Sequence, residues 1–438
     1  MDVVAARSTT GSLRREINLA GLIAIMIGLN IGGSLFLLPG IAAGLTGPSL
    51  FIAQTISALP ILLALVPYLT LSSGMPATCA NYQYAKLFSR PLAAAAWMGL
   101  FVAIPIGMLP LFAIAAAKLL VVLIPGLPIT VTAIVVVSLF YAINVIGIRA
   151  AAYTQLAAVV ILLAALGVFI LGGILAIDAE RFTPLFPGGV FGIVAASALL
   201  YTLLAGGLFG IEMGDEVRNA RSVIPKALMI SVVVVLVIYL LIETVAVGVM
   251  DWSILARGSL GDAAKVFLPG AWLDFFVIGG GITASITTIN LALSAGGRYA
   301  LTFARDGYFP SFFGAINRRF GTPHHGLTLM YLMAVVTLCV NPPLIVLGAM
   351  LNFGLLFMIT LVLCAALTLP KKHPEVYGRS QFQFSGKVLA VTSSTAISMN
   401  VVFMILLAAA LRWTFLIFVG AAIAGLILFY IAGKRLPA

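Results

Sequence analysis

Residues 27–48 read IGLNIGGSLFLLPGIAAGLTGP. The stretch is apolar enough for a membrane helix, yet it carries Gly32, Gly33 and Ser34, followed by Pro39. An interior glycine weakens a helix by about 1 kcal/mol relative to alanine, and an interior proline removes a backbone hydrogen bond. Either the helix tolerates a flaw here or it is built to be interrupted, and the rest of the chain decides between the two.

Of the 438 residues, 62% are hydrophobic and only 8% are charged, too few charges to cover a water-facing globular surface. The composition is that of an all-α polytopic membrane protein. Twelve apolar stretches of the length that spans a bilayer as a helix fall near 17–43, 48–71, 92–124, 127–146, 152–176, 189–213, 226–249, 271–301, 325–341, 343–369, 385–411 and 413–433. Continuous runs such as ISVVVVLVIYLLIETVAVGVM lack the alternation of a transmembrane β-barrel. The polar, basic residues 1–16 precede an apolar segment far longer than a signal-peptide core, so it is expected to stay as the first span.

The net charge of +11 reports topology rather than nucleic acid. With the N-terminus in the cytoplasm, only Arg181, Arg257, Lys265 and Arg412 fall outside, and Lys118 falls within a span. The remaining basic residues fall inside, among them Arg7, Arg14, Arg15, Arg149, Arg318, Arg319, Lys434 and Arg435, as the positive-inside rule requires. Both termini are therefore expected in the cytoplasm of a plasma-membrane protein. The largest polar connections, 72–91, 214–225, 302–324 and 370–384, lie on that side. Cys79, Cys339 and Cys364 are too scattered for a disulfide framework, and His324, His325 and His373 lie in loops, so no buried metal centre is expected.

The interruption has an echo. Residues 203–214, in the sixth span, read LLAGGLFGIEMG. Five helices separate the two segments, so the second unit enters the membrane in the opposite orientation. Glycine-interrupted segments at matching places in two inverted repeats point to a transport site at the bilayer midplane. Unwinding near Gly32, Gly33 and Ser34 leaves N–H groups at the positive end of a half-helix, where a carboxylate binds. A break at 205–207 frees carbonyls of Tyr201, Thr202, Leu203 and Leu204, which suit an ammonium. An α-amino acid is the simplest molecule that fits both.

Four stretches also carry a family resemblance. IGGSLFLLPG resembles the first-helix signature of the amino acid–polyamine–organocation (APC) superfamily, usually Gly-Ser-Gly-Ile-Phe. MGDEVRNARSVIPKAL (213–228), GGRYALTFARDGYFPSFFGAINRRFGTPHHGL (296–327) and NVIGIRAAAYTQ (144–155) are similar to that family's pattern in the same order. The resemblance implies a 5+5 inverted repeat of the leucine-transporter type with two extra C-terminal helices. On that division 1–16 is a cytoplasmic segment and 17–369 the transport core, with repeats 17–176 and 189–369. Residues 370–438 hold a cytoplasmic loop and the last two spans. It also implies a symporter or antiporter, an amino acid permease working by alternating access.

Carried over, Gly32, Gly33 and Ser34 hold the substrate carboxylate. Asn30 and Ile31, with carbonyls of Thr202, Leu203, Leu204 and Ala205, face its amine, and Tyr201 and Gly206 flank that set. Thr202 stands where many members place an aromatic gate, and Leu208 where several amine exchangers carry a Glu. With no acid there, small to medium neutral amino acids are favoured. Phe101, Met108, Ala292 and Asn352 are the expected pocket wall.

Three ionisable residues fall within spans, Lys118, Glu212 and Glu243, and each is a coupling candidate by its cost in the membrane. Lys118 can instead snorkel outward, and Glu212 can serve a wet cytoplasmic role. Leu162 replaces the lysine that proton-coupled relatives carry in helix five. A residual Na⁺ site would use carbonyls of Gly28 and Ile31 with the hydroxyl of Thr287 or Thr288, although Thr283, Thr287 and Asn290 at helical spacing also satisfy one another. No cofactor is expected beyond Na⁺ or H⁺ as coupling ion, and the partners are a small substrate and the lipid bilayer. The alternative within the same superfamily is an amine, polyamine or cationic amino-acid transporter. A membrane-embedded enzyme would need convergent acids, bases or ligands, and a channel a polar lining; neither is visible.

Overall fold

The computed structural model describes residues 17–77, 79–146, 152–212, 214, 217–317 and 322–433. The expected cytoplasmic segment 1–16, and Arg149, Asp215, Glu216, Arg318, Arg319, Lys434 and Arg435 among the charges, lie outside the described residues.

The architecture is helical. In chain order the helices are α1 (Leu19–Asn30), α2 (Leu38–Thr46), α3 (Leu50–Gly74), α4 (Ala80–Phe88), α5 (Arg90–Ala103), α6 (Leu109–Leu123), α7 (Ile129–Ile146), α8 (Ala152–Ile174), α9 (Gly189–Ala205) and α10 (Ala220–Val249). Then come α11 (Trp252–Leu255), α12 (Leu260–Ala264), α13 (Gly270–Phe275), α14 (Thr283–Arg305), α15 (His324–Val340), α16 (Leu344–Lys372), α17 (Pro374–Gly378), α18 (Gly386–Ala410) and α19 (Arg412–Gly433). The described residues hold no strand beyond an isolated parallel bridge between Ile17 and Val217.

Nine helical stretches among the described residues are long and apolar enough to cross a membrane, and α1, α7 and α15 are shorter apolar helices. Four of the nine run through a local irregularity: Leu38–Gly74, Arg90–Val121, Gly189–Glu212 and Gly270–Arg305. Two of these irregularities are π turns, at Ile104–Met108 and Phe276–Ile282. Pro105 supplies the cause in the first, because it donates no backbone hydrogen bond.

Three sequence expectations need correction. Pro39, expected a turn or so into the half-helix that follows the break, lies instead in the first turn of α2, where its missing N–H costs nothing. The connection expected over 214–225 is shorter, because α10 begins at Ala220 after Asn219 in the left-handed conformation (φ 48°), whose carbonyl accepts the first amides. The loop 72–91 contains α4, a short amphipathic helix that packs on α5 and α16.

The core is a single buried cluster running through the centre of the bundle. Helices α1, α3 and α9 pack on α10 there, while α18 and α19 cover α3, α5, α9 and α16. Nearer α4, Trp97 sits among Tyr82 (ring centroids 5.0 Å apart), Tyr299 (4.0 Å) and Phe303, closing that end with aromatic rings.

Candidate functional site

The first helix is interrupted at Ile31 and Gly32. Ile31 takes φ −84°, ψ 75°, the geometry of an inverse γ-turn, and the Gly32 amide donates to the Asn30 carbonyl at 2.9 Å. Gly32 is extended (φ −95°, ψ 177°), and a single 3₁₀ turn, Gly33–Phe36, leads into α2. The Gly33 and Ser34 amides open this turn, and neither has an acceptor among the described residues. The Ser34 hydroxyl likewise bonds no other group there, and Ser34 is buried. Two adjacent unspent N–H groups at the head of a half-helix are donors of the kind that suit an anion. The sequence reading assigned that role to Gly32 as well, but its amide is spent in the turn.

The second glycine segment behaves differently from expectation. Gly206 keeps helical angles (φ −55°, ψ −35°), and Gly206–Glu212 tightens to 3₁₀ rather than unwinding. Its glycines are required by close approach. A Cβ on Gly206 would lie 2.7 Å from the Leu29 carbonyl oxygen, one on Gly207 would meet the Asn30 amide, and one on Gly210 would meet Met26. The end of α1 therefore lies directly on this segment, and the Gly207 amide donates to Asn30 Oδ1 at 2.6 Å.

Tyr239 of α10 closes the junction. Its hydroxyl reaches the Asn30 carbonyl at 2.6 Å and the Leu203 carbonyl at 3.2 Å, so one phenol bridges both interrupted segments. Sequence reasoning missed it, because a tyrosine in an apolar run carries no signal of what its hydroxyl meets. Thr202, Leu204 and Ala205 are buried beside this junction. Tyr201 turns elsewhere, its ring edge-on to Phe403 of α18 at 6.1 Å.

Helices α14 and α6 cover the first break. A Cβ on Gly32 would lie 2.8 Å from Thr288 Oγ1 and 3.3 Å from Phe112, and one on Gly33 would collide with Ser285. Thr288 thus reaches the break, with Ala292 one turn further along the same face. Thr287 and Thr288 both donate to the Ala284 carbonyl (3.0 and 2.8 Å) and Thr283 to the Ile278 carbonyl, so the three threonine protons are satisfied locally, while Asn290 Oδ1 accepts from Asn144 of α7. Gly28 and Ile31 are buried on α1 and at its end. Phe112 was legible in principle, being one helical turn beyond Met108 on the same face. Met108 ends the first π turn and is partly buried. Phe101 instead joins the aromatic cluster, 5.3 Å from Phe309 between ring centroids. Asn352 is fully buried and donates to the Leu199 carbonyl at 2.9 Å.

The three intramembrane ionisable residues lie in three different places. Glu212 is held by α4: its Oε1 accepts from Asn81 Nδ2 at 2.7 Å and from the Asn81 amide at 3.3 Å, while Asn81 Oδ1 accepts from Tyr68 at 2.7 Å. Lys118 lines a cavity of about 330 Å³ with Ile129, Thr130, Asn341 and Pro343. Glu243 is fully buried in α10 and makes no ion pair with Lys118. Outside the spans, burial pushes the Cys79 thiol up to about 12. Burial also raises the Asp306 carboxyl, against the pull of Lys86.

An interrupted helix that meets a glycine-rich 3₁₀ segment of another helix inside an apolar bundle is an arrangement in keeping with a membrane transport protein. The chain belongs to the amino acid permease family, whose profile matches residues 17–433. It is 26% identical to the methylthioribose transporter of Bacillus subtilis (strain 168), over 86% of each chain. It is 25% identical to the branched-chain amino acid permease BcaP of the same organism, over 86% of this chain and 85% of that one. The vacuolar cationic amino acid transporter 2 of Arabidopsis thaliana is 24% identical over 86% of this chain and 63% of its own.

Proposed function

We propose that this permease is a secondary active transporter of small to medium neutral amino acids, working by alternating access. Twelve spans are assigned to it, with α1, α7 and α15 as the short members. The first ten form the 5+5 inverted repeat, and both termini face the cytoplasm across the plasma membrane.

The observation that carries the reading is the junction at Asn30. There the end of α1 is tied to the Gly206–Glu212 segment by Gly207, and to α10 by Tyr239. The unspent Gly33 and Ser34 amides take the substrate carboxylate. The ammonium is placed against carbonyls at the ends of α1 and α9, with Ile31, Thr202, Leu204 and Ala205 around it. Phe112, Thr288 and Ala292 wall the side chain. Leu208 is fully buried and Glu212 is engaged by Asn81, which supports a substrate without a second positive charge. The branched-chain permease among the relatives agrees with this size and charge.

The methylthioribose and cationic amino-acid transporters among the relatives mark the competing substrates. The test is uptake and exchange in proteoliposomes. Labelled leucine, isoleucine, valine and alanine are expected to exchange, with unlabelled lysine and methylthioribose as weak competitors. Folded protein that moves none of the twenty amino acids overturns the reading, and preferential transport of lysine overturns its neutral-substrate part.

A further inference from the structure

Glu243 is 0% exposed, and neither of its carboxyl oxygens has a hydrogen-bond partner. Two other buried side chains share that state on the helix packed against it: both amide atoms of Gln54 and the hydroxyl of Ser57, on α3. The register of the two packed helices puts the three at nearly the same depth. Phe51, at the start of α3, stacks edge-on against Phe182 at 6.3 Å, and a Cβ on Gly248, near the end of α10, would lie 3.4 Å from the same ring. At the other end Gly214, ahead of α10, donates its amide to the Ala77 carbonyl just past α3. The helices are therefore antiparallel, with Phe51 level with Gly248. At about 1.5 Å rise per residue, Gln54 lies roughly 4.5 Å, Glu243 roughly 7.5 Å and Ser57 roughly 9 Å below that level. Gln54 and Ser57, three residues apart, share one face of α3.

A bare carboxylate does not persist in an apolar interior, so one positive charge must accompany it. Among the described residues, the elements packed on α10 supply none. Helices α1, α3, α8 and α9 contain no charged residue. Of the other elements packed on α10, Asp262 of α12 binds Ser259 and Lys265, Arg181 pairs with Asp178, Glu180 is exposed and Glu212 is bound by Asn81. The titratable neighbour is Tyr239, one turn along α10, whose hydroxyl bridges the two interrupted segments.

We propose that Gln54, Ser57 and Glu243 form a site for one monovalent cation, Na⁺ or H⁺, in the α3–α10 interface. This site is separate from the α1–α14 position considered from sequence. A carboxylate, an amide oxygen and a hydroxyl are the hard oxygen ligands Na⁺ takes, and the same three groups hydrogen-bond a protonated acid. The cation neutralises Glu243, and α10 relays its presence through Tyr239 to Asn30 and Leu203. The coupling part of the inference rests on the transport reading; the site itself does not, and it is tested without substrate.

The experiment measures the melting temperature of detergent-purified full-length protein. NaCl is titrated against choline chloride at constant ionic strength, and pH is varied from 5 to 8, for wild type and Glu243→Gln. Stabilisation by Na⁺ that is lost in Glu243→Gln assigns the site to Na⁺. A pH response lost in the variant, with no Na⁺ response, assigns it to H⁺. Ser57→Ala, a smaller change, is expected to raise the Na⁺ midpoint about tenfold or to shift the pH midpoint, whether or not Glu243→Gln folds. Wild type and both variants responding identically, or wild type responding to neither cation, overturns the proposal. In proteoliposomes the Gln variant is expected to keep leucine exchange and to lose gradient-driven accumulation. Absence of exchange in wild type instead counts against the transport reading.

Discussion

Replacing Gly33 with alanine tests whether the interrupted helix is held by close packing of α14. The new Cβ would collide with Ser285 Oγ, lie 3.0 Å from Ser285 Cβ and 3.2 Å from its Cα. Ser285 cannot simply swing aside, because its hydroxyl donates to the Gly281 carbonyl at 2.8 Å and the backbone behind it is already too near. Overpacking of this kind costs about 1–3 kcal/mol, which shifts the population of the arrangement roughly 5- to 150-fold. Scaled to a chain of this size, it lowers the melting temperature by about 1–3 °C. The comparison is Gly420→Ala in α19, where no atom lies within 4 Å, so the Cβ meets nothing and the helix gains up to about 1 kcal/mol. Thermal unfolding in detergent, followed by intrinsic fluorescence, reads both. Ser285→Gly removes the two nearest atoms, so the double variant should be less destabilised than the sum of the singles. Gly33→Ala as stable as wild type, or strict additivity with Ser285→Gly, refutes the packing argument.

Tyr239→Phe keeps the ring but removes the hydroxyl bonded to Asn30 and Leu203; a loss of about 1–3 kcal/mol in stability is expected, and unchanged unfolding would show that the bridge contributes nothing. With the Cys79 thiol at about 12, about one molecule in ten thousand is thiolate at pH 8, so maleimide should label exposed Cys339 and leave Cys79 unmodified, as mass spectrometry of peptides would report. Burial raises the Asp306 carboxyl, so the folded state holds that proton more tightly than the unfolded chain. Its contribution is full below the unfolded value, near 3.9, and is lost as pH rises through the raised folded value. Asp306→Asn should therefore match or exceed wild-type stability at pH 7 and lose that advantage at pH 4, which melting curves across this range would check.

The helical, membrane-spanning character was legible because it rests on composition and run length, quantities that need no neighbours. The interruption at Gly32 was legible for the same reason, since a Gly-Gly-Ser run in an apolar helix is a local anomaly. The echo at Gly206 and Gly207 was found from the same signal but with the wrong cause. Those glycines admit the backbone of Leu29 and Asn30, and the segment tightens rather than unwinds. Phe101 and Tyr201 show the opposite failure. The resemblance implied a pocket wall at Phe101 and a place for Tyr201 beside the amine-facing carbonyls, whereas packing turned one ring toward Phe309 and the other toward Phe403.

The sequence by itself determined an apolar, multi-span helical chain of permease type with one helix broken near Gly32, Gly33 and Ser34, because hydropathy and backbone freedom are properties of single residues and short runs. Only the tertiary structure decided which amides the break leaves unspent, that Tyr239 bridges the two segments, that Asn81 holds Glu212, and that Glu243 is buried without a partner. Apart from the local turn that spends the Gly32 amide, those outcomes depend on a hydrogen bond, or its absence, between residues far apart in the chain. Such a pairing exists only once the helices have packed.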